Sequence, residues 1–198
     1  MTVFPELQAY EWEYLEQVMN HVNPYTGLKY ADDPALAIIE VRNEDSVFFG
    51  HPLNRLESDY PQHAAILKAD WAMWLTDKYQ TDEALAEAWG DGMRNADSLS
   101  NEEMKIYAAW EMSAEGPSLN ASEAARMGDW IQFLAERQCD GYKNRRDLLR
   151  DVGYKGIVLS TGWKVGGPAA DLANLWTDDC LEMIDRHTYQ GGGENLRG

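Results

Sequence analysis

Basic side chains are scarce in this sequence. Only 17 Lys and Arg stand against 34 Asp and Glu in 198 residues, a formal net charge of −17. That balance argues against nucleic acid as a partner, because such binding draws on Lys and Arg to neutralise phosphates. It disfavours an anionic membrane surface for the same reason. Long apolar runs are missing too, and none approaches the roughly 18 residues of a membrane span. The opening Met1-Thr2-Val3-Phe4-Pro5-Glu6 has neither a basic start nor an apolar stretch, so no signal peptide is expected in this chain. The localisation stays open, and a secreted or periplasmic full-length protein remains compatible with the sequence. Cys139 and Cys180 are too few for a disulfide framework. Two buried thiols are expected, with one long-range disulfide as the alternative. There is no Cys-x-x-Cys and no His-Glu-x-x-His, and His21, His51 and His63 form no ligand pattern, so no metal and no cofactor are expected. The glycine runs lack the Lys-Ser/Thr of a phosphate loop, and no Gly-x-Ser-x-Gly elbow exists.

Apolar and aromatic residues are plentiful: 44 % of the chain is hydrophobic, with eight Trp and ten Tyr. This is enough for a core and argues against disorder. Phe4, Leu7, Tyr14, Leu15, Val18 and Val22 recur at helical spacing and predict a helix over about 4–21. Asn23-Pro24-Tyr25-Thr26-Gly27 and Asp32-Asp33-Pro34 are turn signals. Leu36 to Val41 is a short apolar run that ends abruptly in Arg42-Asn43-Glu44-Asp45-Ser46. A buried parallel strand whose carboxyl end opens into a site has this pattern.

A helix is predicted over 63–79, and a short one over 82–89 capped by Thr81 and closed by Gly90. Ser100 and Glu103 fit a capping box for a helix reaching about Met112. Between Asp77 and Asp129 there are twelve acids and four bases, which reads as a solvated helical insertion at about 80–120. A long helix is predicted over about 122–152, with Gly128 and Gly141 as bending points and Gly153 as its cap. Ile157 to Thr161 is the second strand candidate. A helix over about 168–180 follows, and Met183 to Tyr189 is the third strand candidate.

This alternation of helices and strands predicts an α/β fold with a parallel sheet and right-handed crossovers. Three strands fall far short of the eight strands and about 250 residues of a closed (β/α)8 barrel. The expectation is one domain over 1–198 that forms part of a larger barrel. A complete open three-strand α/β domain is the rival reading. In parallel sheets ligands bind outside the carboxyl ends of strands. Those ends carry Asn43 and Glu44, Trp163, and His187 with Tyr189. An acid can protonate a glycosidic oxygen, an amide can hydrogen-bond a sugar hydroxyl, and an indole can stack on a pyranose. Glu40 shares strand parity with Glu44, and a structural hydrogen bond or salt bridge, with Arg42 or a strand missing from this chain, is expected for it.

Three stretches carry a family likeness: His21 to Gly27 with Asp32 to Ala37, Ile39-Glu40-Val41-Arg42-Asn43-Glu44-Asp45-Ser46, and Asp185-Arg186-His187-Thr188-Tyr189. Asn-Glu closing an apolar strand, followed by a strand ending His-x-Tyr, resembles the retaining glycoside hydrolases of clan A. The nearest likeness is to the cellulase and mannanase-like barrels of family 5. The resemblance implies a TIM barrel of which this chain holds about strands 4 to 6. It implies that Glu44 is the catalytic acid/base and that Asn43 binds the sugar 2-hydroxyl. His187 and Tyr189 would bind sugar or orient the nucleophile. The stacking role for Trp163 rests on its position alone. The family's nucleophile is a second Glu on the seventh strand, and nothing here matches it; Glu194 follows a glycine run rather than an apolar strand. The implied partner is a β-linked carbohydrate, without cofactor, and the oligomeric state is not legible. The rival function is a non-catalytic, carbohydrate-binding or structural remnant of such a barrel. A helical protein-interaction module, suggested by the acidic stretch, leaves the strand ends unexplained.

Overall fold

Proline sits at the first or second position of four helices, where its fixed φ suits the helix and its missing N–H has no intrahelical partner to lose. The computed structural model describes residues 4–95, 97–101, 104–113, 117–164 and 167–187. Its elements are α1 (Pro5–Asn20), β1 (Ile38–Glu40), α2 (His51–Asp59), α3 (Pro61–Tyr79), α4 (Asp82–Trp89), α5 (Ala121–Asp151), β2 (Ile157–Leu159) and α6 (Pro168–Asp178). The fold is mixed α/β and mostly helical. Among the described residues its sheet is a single parallel pair, with Ile38 opposite Ile157 and Glu40 opposite Leu159.

The third predicted strand is not formed within the described residues. It is reduced to one parallel bridge, between Leu159 and Met183. The Glu182 carboxylate accepts the Val158 N–H at 2.9 Å, where a strand carbonyl would otherwise sit. On the Met183 segment itself, the Asp185 carboxylate takes the Arg186 N–H at 2.8 Å. Side chains thus occupy donors that a ladder needs. Thr188 and Tyr189 lie outside the described residues.

Capping explains several helix ends. The Thr81 hydroxyl accepts the Ala84 N–H at 3.1 Å, and Gly90 at φ 45° ends α4. The capping box belongs to Asn120 and Glu123, each accepting the other's backbone N–H at 2.9 and 3.1 Å, and it starts α5. α5 runs as one helix through Gly128 and Gly141. The predicted helix over 100–112 does not form among the described residues, with Glu102 and Glu103 outside them. Arg126 takes the Lys105 carbonyl at 3.3 Å and Asp82 takes the Leu99 N–H at 2.8 Å, so this backbone is tied to side chains instead. Among the described residues, a 3-10 turn at Ala109–Met112 is the helical part of this span.

The acidic stretch is not a solvated appendage. Leu85, Trp89, Leu99, Met104, Ile106, Tyr107 and Met112 are buried in the main core, together with Trp71, Trp130 and Phe133. Trp71 lies 5.3 Å from both Trp74 and Trp130, and 5.0 Å from Phe133. Arg126 is fully buried there, ion-paired with Asp97 and stacked over Trp89 and Tyr107. Asp129 accepts from Lys78, Tyr79 and Trp89. A smaller cluster of Met19, Ala31, Leu149, Tyr154 and Val158 backs the sheet.

Cys139 on α5 and Cys180 just past α6 form a disulfide, with Cα atoms 5.7 Å apart, which corrects the expectation of two buried thiols. It ties the long helix to the segment that leads into the strand-end residues 182–187.

Candidate functional site

The parallel pair sends both strands out in the same direction, so their following loops meet at one rim. Beyond β1 the chain stays tied to the exit of β2. The Arg42 N–H donates to the Ser160 carbonyl, and the Glu44 N–H to the Thr161 carbonyl, at 3.1 and 3.0 Å. The Asp45 N–H donates to the Thr161 hydroxyl at 2.8 Å. Glu44 adopts φ 47°, a left-handed conformation unusual for a residue with a side chain and characteristic of constrained sites.

His187 reaches this rim from the segment after α6. Its N–H donates to the Gly162 carbonyl at 2.7 Å. Gly162 itself has φ 63°, and a Cβ there would stand 2.7 Å from both Cδ2 and Nε2 of His187. Glycine is therefore what lets the imidazole sit against this turn. The ring's Nδ1–H donates to Glu44 Oε1 at 2.8 Å. Its Nε2 stands 3.3 Å from Asp185 Oδ2 and 3.7 Å from Glu40 Oε1. Three carboxylates thus surround one imidazole. The hydrogen bond to Glu44 is the main cause that raises the His187 pKa above its ordinary 6.5, aided by the charges of Glu40, Asp185 and Glu44. Burial is the main cause that raises the Glu40 carboxyl above 4.5.

The residues flanking this cluster are committed elsewhere. Arg42 pairs with Glu11 at 2.7 Å and with Asp45 at 3.6 Å, so it is not the partner of Glu40. Arg186 faces Asp171 and Asp178 and donates to the Trp163 carbonyl. Burial pushes Asp178 up to about 6, against the lowering effects of the Ser160 hydroxyl and Arg186.

Of the sequence-predicted site residues, Glu44 and His187 are brought into direct contact across 143 positions. Asn43 is exposed beside Glu44. Trp163 is half-buried, edge-on to Phe49 at 5.5 Å, and packed on the main core. Tyr189 falls outside the described residues. Sequence reasoning missed Asp185 and the approach of Glu40 to the ring. Strand parity was the available signal: Asp185 and His187 are two apart, as side chains on one face are. The side-chain ligand atoms of Glu40, Asp185 and His187 all lie within 4.8 Å of one another, close enough to share a cation.

Comparison of the chain with protein-family models, with curated proteins and with solved structures finds no match.

Proposed function

We propose that this chain is part of a retaining glycoside hydrolase of the (β/α)8 type, acting on a β-linked poly- or oligosaccharide. The observation that carries the reading is the contact of Glu44 with His187 at the carboxyl ends of a parallel pair. Glu44 is the acid/base: it protonates the leaving oxygen, then takes a proton from the water that releases the sugar. His187 orients it through the Nδ1 hydrogen bond. Asn43, exposed next to it, meets the sugar 2-hydroxyl, Trp163 extends the sugar-binding rim, and Tyr189 keeps the sugar-binding role that the family resemblance implies. The nucleophile comes from outside this chain. In the barrel reading, β1, β2 and the Met183 segment correspond to strands 4 to 6.

The second reading, a sugar-binding remnant, is favoured by one observation. Glu40, Glu44 and Asp185 all stand within 3.7 Å of the same imidazole, which leaves no rim acid in this group facing Glu44 from an opposite wall.

One experiment separates the two. The chain is incubated with an aryl β-glycoside whose leaving group needs protonation, with and without azide as a substitute nucleophile, and oligosaccharide binding is measured by calorimetry. Azide-dependent cleavage that Glu44→Gln abolishes supports the hydrolase. Sugar binding without any cleavage supports the remnant. Neither binding nor cleavage defeats both. Cleavage without azide, lost in Glu44→Gln, places the nucleophile within the chain and overturns that part of the reading.

A further inference from the structure

We propose that Glu40, Asp185 and His187 form a binding site for one divalent transition-metal cation, of which Zn2+ is the first probe. This goes beyond the hydrolase reading and does not depend on it.

The argument starts from the imidazole. Glu44 accepts from Nδ1, so Nδ1 carries the hydrogen and a neutral ring turns the lone pair of Nε2 toward Asp185 and Glu40. Once Nε2 gives up its proton, three electron-rich atoms converge, and a cation takes that proton's place among them. Arg42 and Arg186, the nearest basic residues in sequence, are paired with other acids.

A second observation concerns Glu40. Its Oε1 is buried, and no donor among the described residues lies within hydrogen-bond reach. Buried carboxylate oxygens are costly to leave unpaired. This oxygen is also the atom that faces Nε2.

The spacing suits a small ion. Tetrahedral bonds of about 2.0–2.2 Å set ligand atoms about 3.3–3.6 Å apart. The observed 3.3 Å from Nε2 to Asp185 matches that edge, and 3.7 Å to Glu40 is close to it. One nitrogen and two oxygens form a borderline donor set, suited to Zn2+ and its first-row neighbours. Metal-bound histidines commonly donate their other N–H to a carboxylate, which fixes the tautomer; Glu44 holds that place. Gly162 keeps the seat of the ring open, since any Cβ there would collide with Nε2.

The test uses the disulfide-intact chain, stripped with a chelator and titrated with Zn2+ by calorimetry. One Zn2+ per chain is expected. Glu40→Gln and Asp185→Asn are each expected to weaken it by at least about tenfold, with circular dichroism confirming their fold. Co2+ added to the unmodified chain reads the same site independently and is expected to show the ligand-field bands of a mixed nitrogen–oxygen set. No saturable Zn2+ uptake, uptake that both folded variants leave within tenfold, or absence of Co2+ bands at saturation overturns the proposal. None of these readouts requires glycoside cleavage, so this site and the hydrolase reading stand or fall separately.

Discussion

Replacing Cys139 and Cys180 together by alanine opens a loop that spans 41 positions. In the chain-entropy description, a cross-link stabilises by restricting the unfolded ensemble, and a loop of this length corresponds to about 4 kcal/mol at 25 °C. Cys139 is almost fully buried, so its replacement also sacrifices a little packing on α5. For a chain of this size, about 4 kcal/mol translates into a melting temperature lower by roughly 10 °C. The assay is urea unfolding followed by tryptophan fluorescence, comparing oxidised protein, protein under a phosphine reductant, and the double variant. Reduction and replacement should shift the midpoint downward together. The oxidised protein should show no reactive thiol in denaturant, and the reduced protein two. A stability loss below about 1 kcal/mol, or two thiols already reactive before reduction, would refute the reasoning.

Gly162→Ala forces a side chain into the left-handed region and against His187, so a destabilisation of about 1–3 kcal/mol is expected, with displaced His187 ring resonances in NMR. Asp97→Ala leaves the buried Arg126 charge unpaired and is expected to cost about 3–5 kcal/mol in thermal or urea unfolding, whereas Asp97→Leu with Arg126→Met together should cost far less. The His187 pKa is raised, so its contribution to stability is fully present below pH 6.5 and fades as pH rises through the higher folded value. An NMR titration of metal-free protein should show that raised pKa, and Glu44→Gln should lower it; an unchanged value in the variant contradicts the assignment of cause. Asn120→Ala removes the start of α5 and is expected to cost about 1 kcal/mol in urea unfolding.

Regular features were the ones the sequence made legible. α1, α3, α4, α5 and α6 follow from apolar spacing and punctuation, because a helix repeats its burial pattern over several turns. β1 and β2 follow from short apolar runs that break into polar residues. Met183-Ile184 carries the same kind of signal, yet its neighbours Glu182 and Asp185 spend their carboxylates on the backbone donors that pairing needs. Asn120 with Glu123 makes a capping box that went unread in the sequence, although it has the same spacing as Ser100 with Glu103, of which Glu103 lies outside the described residues. α2 escaped notice because its buried positions, Leu53 and Leu56, repeat only once. At the site, Glu44 and His187 were legible from their strand-end positions. The gathering of Glu40 and Asp185 around the ring was not, since it depends on how the chain after α6 returns to Gly162.

Arg126 has a consequence for how the acidic segment and α5 hold together. A guanidinium keeps its proton at any working pH, so it cannot shed its charge to enter a dry core. Asp97, on the loop after α4, supplies the neutralising charge, and the Gly92 and Lys105 carbonyls take two further N–H groups. Burying Arg126 against Trp89 and Tyr107 is therefore favourable only with Asp97 in place, which makes this irregular, acid-rich segment a structural partner of α5 rather than a loose addition.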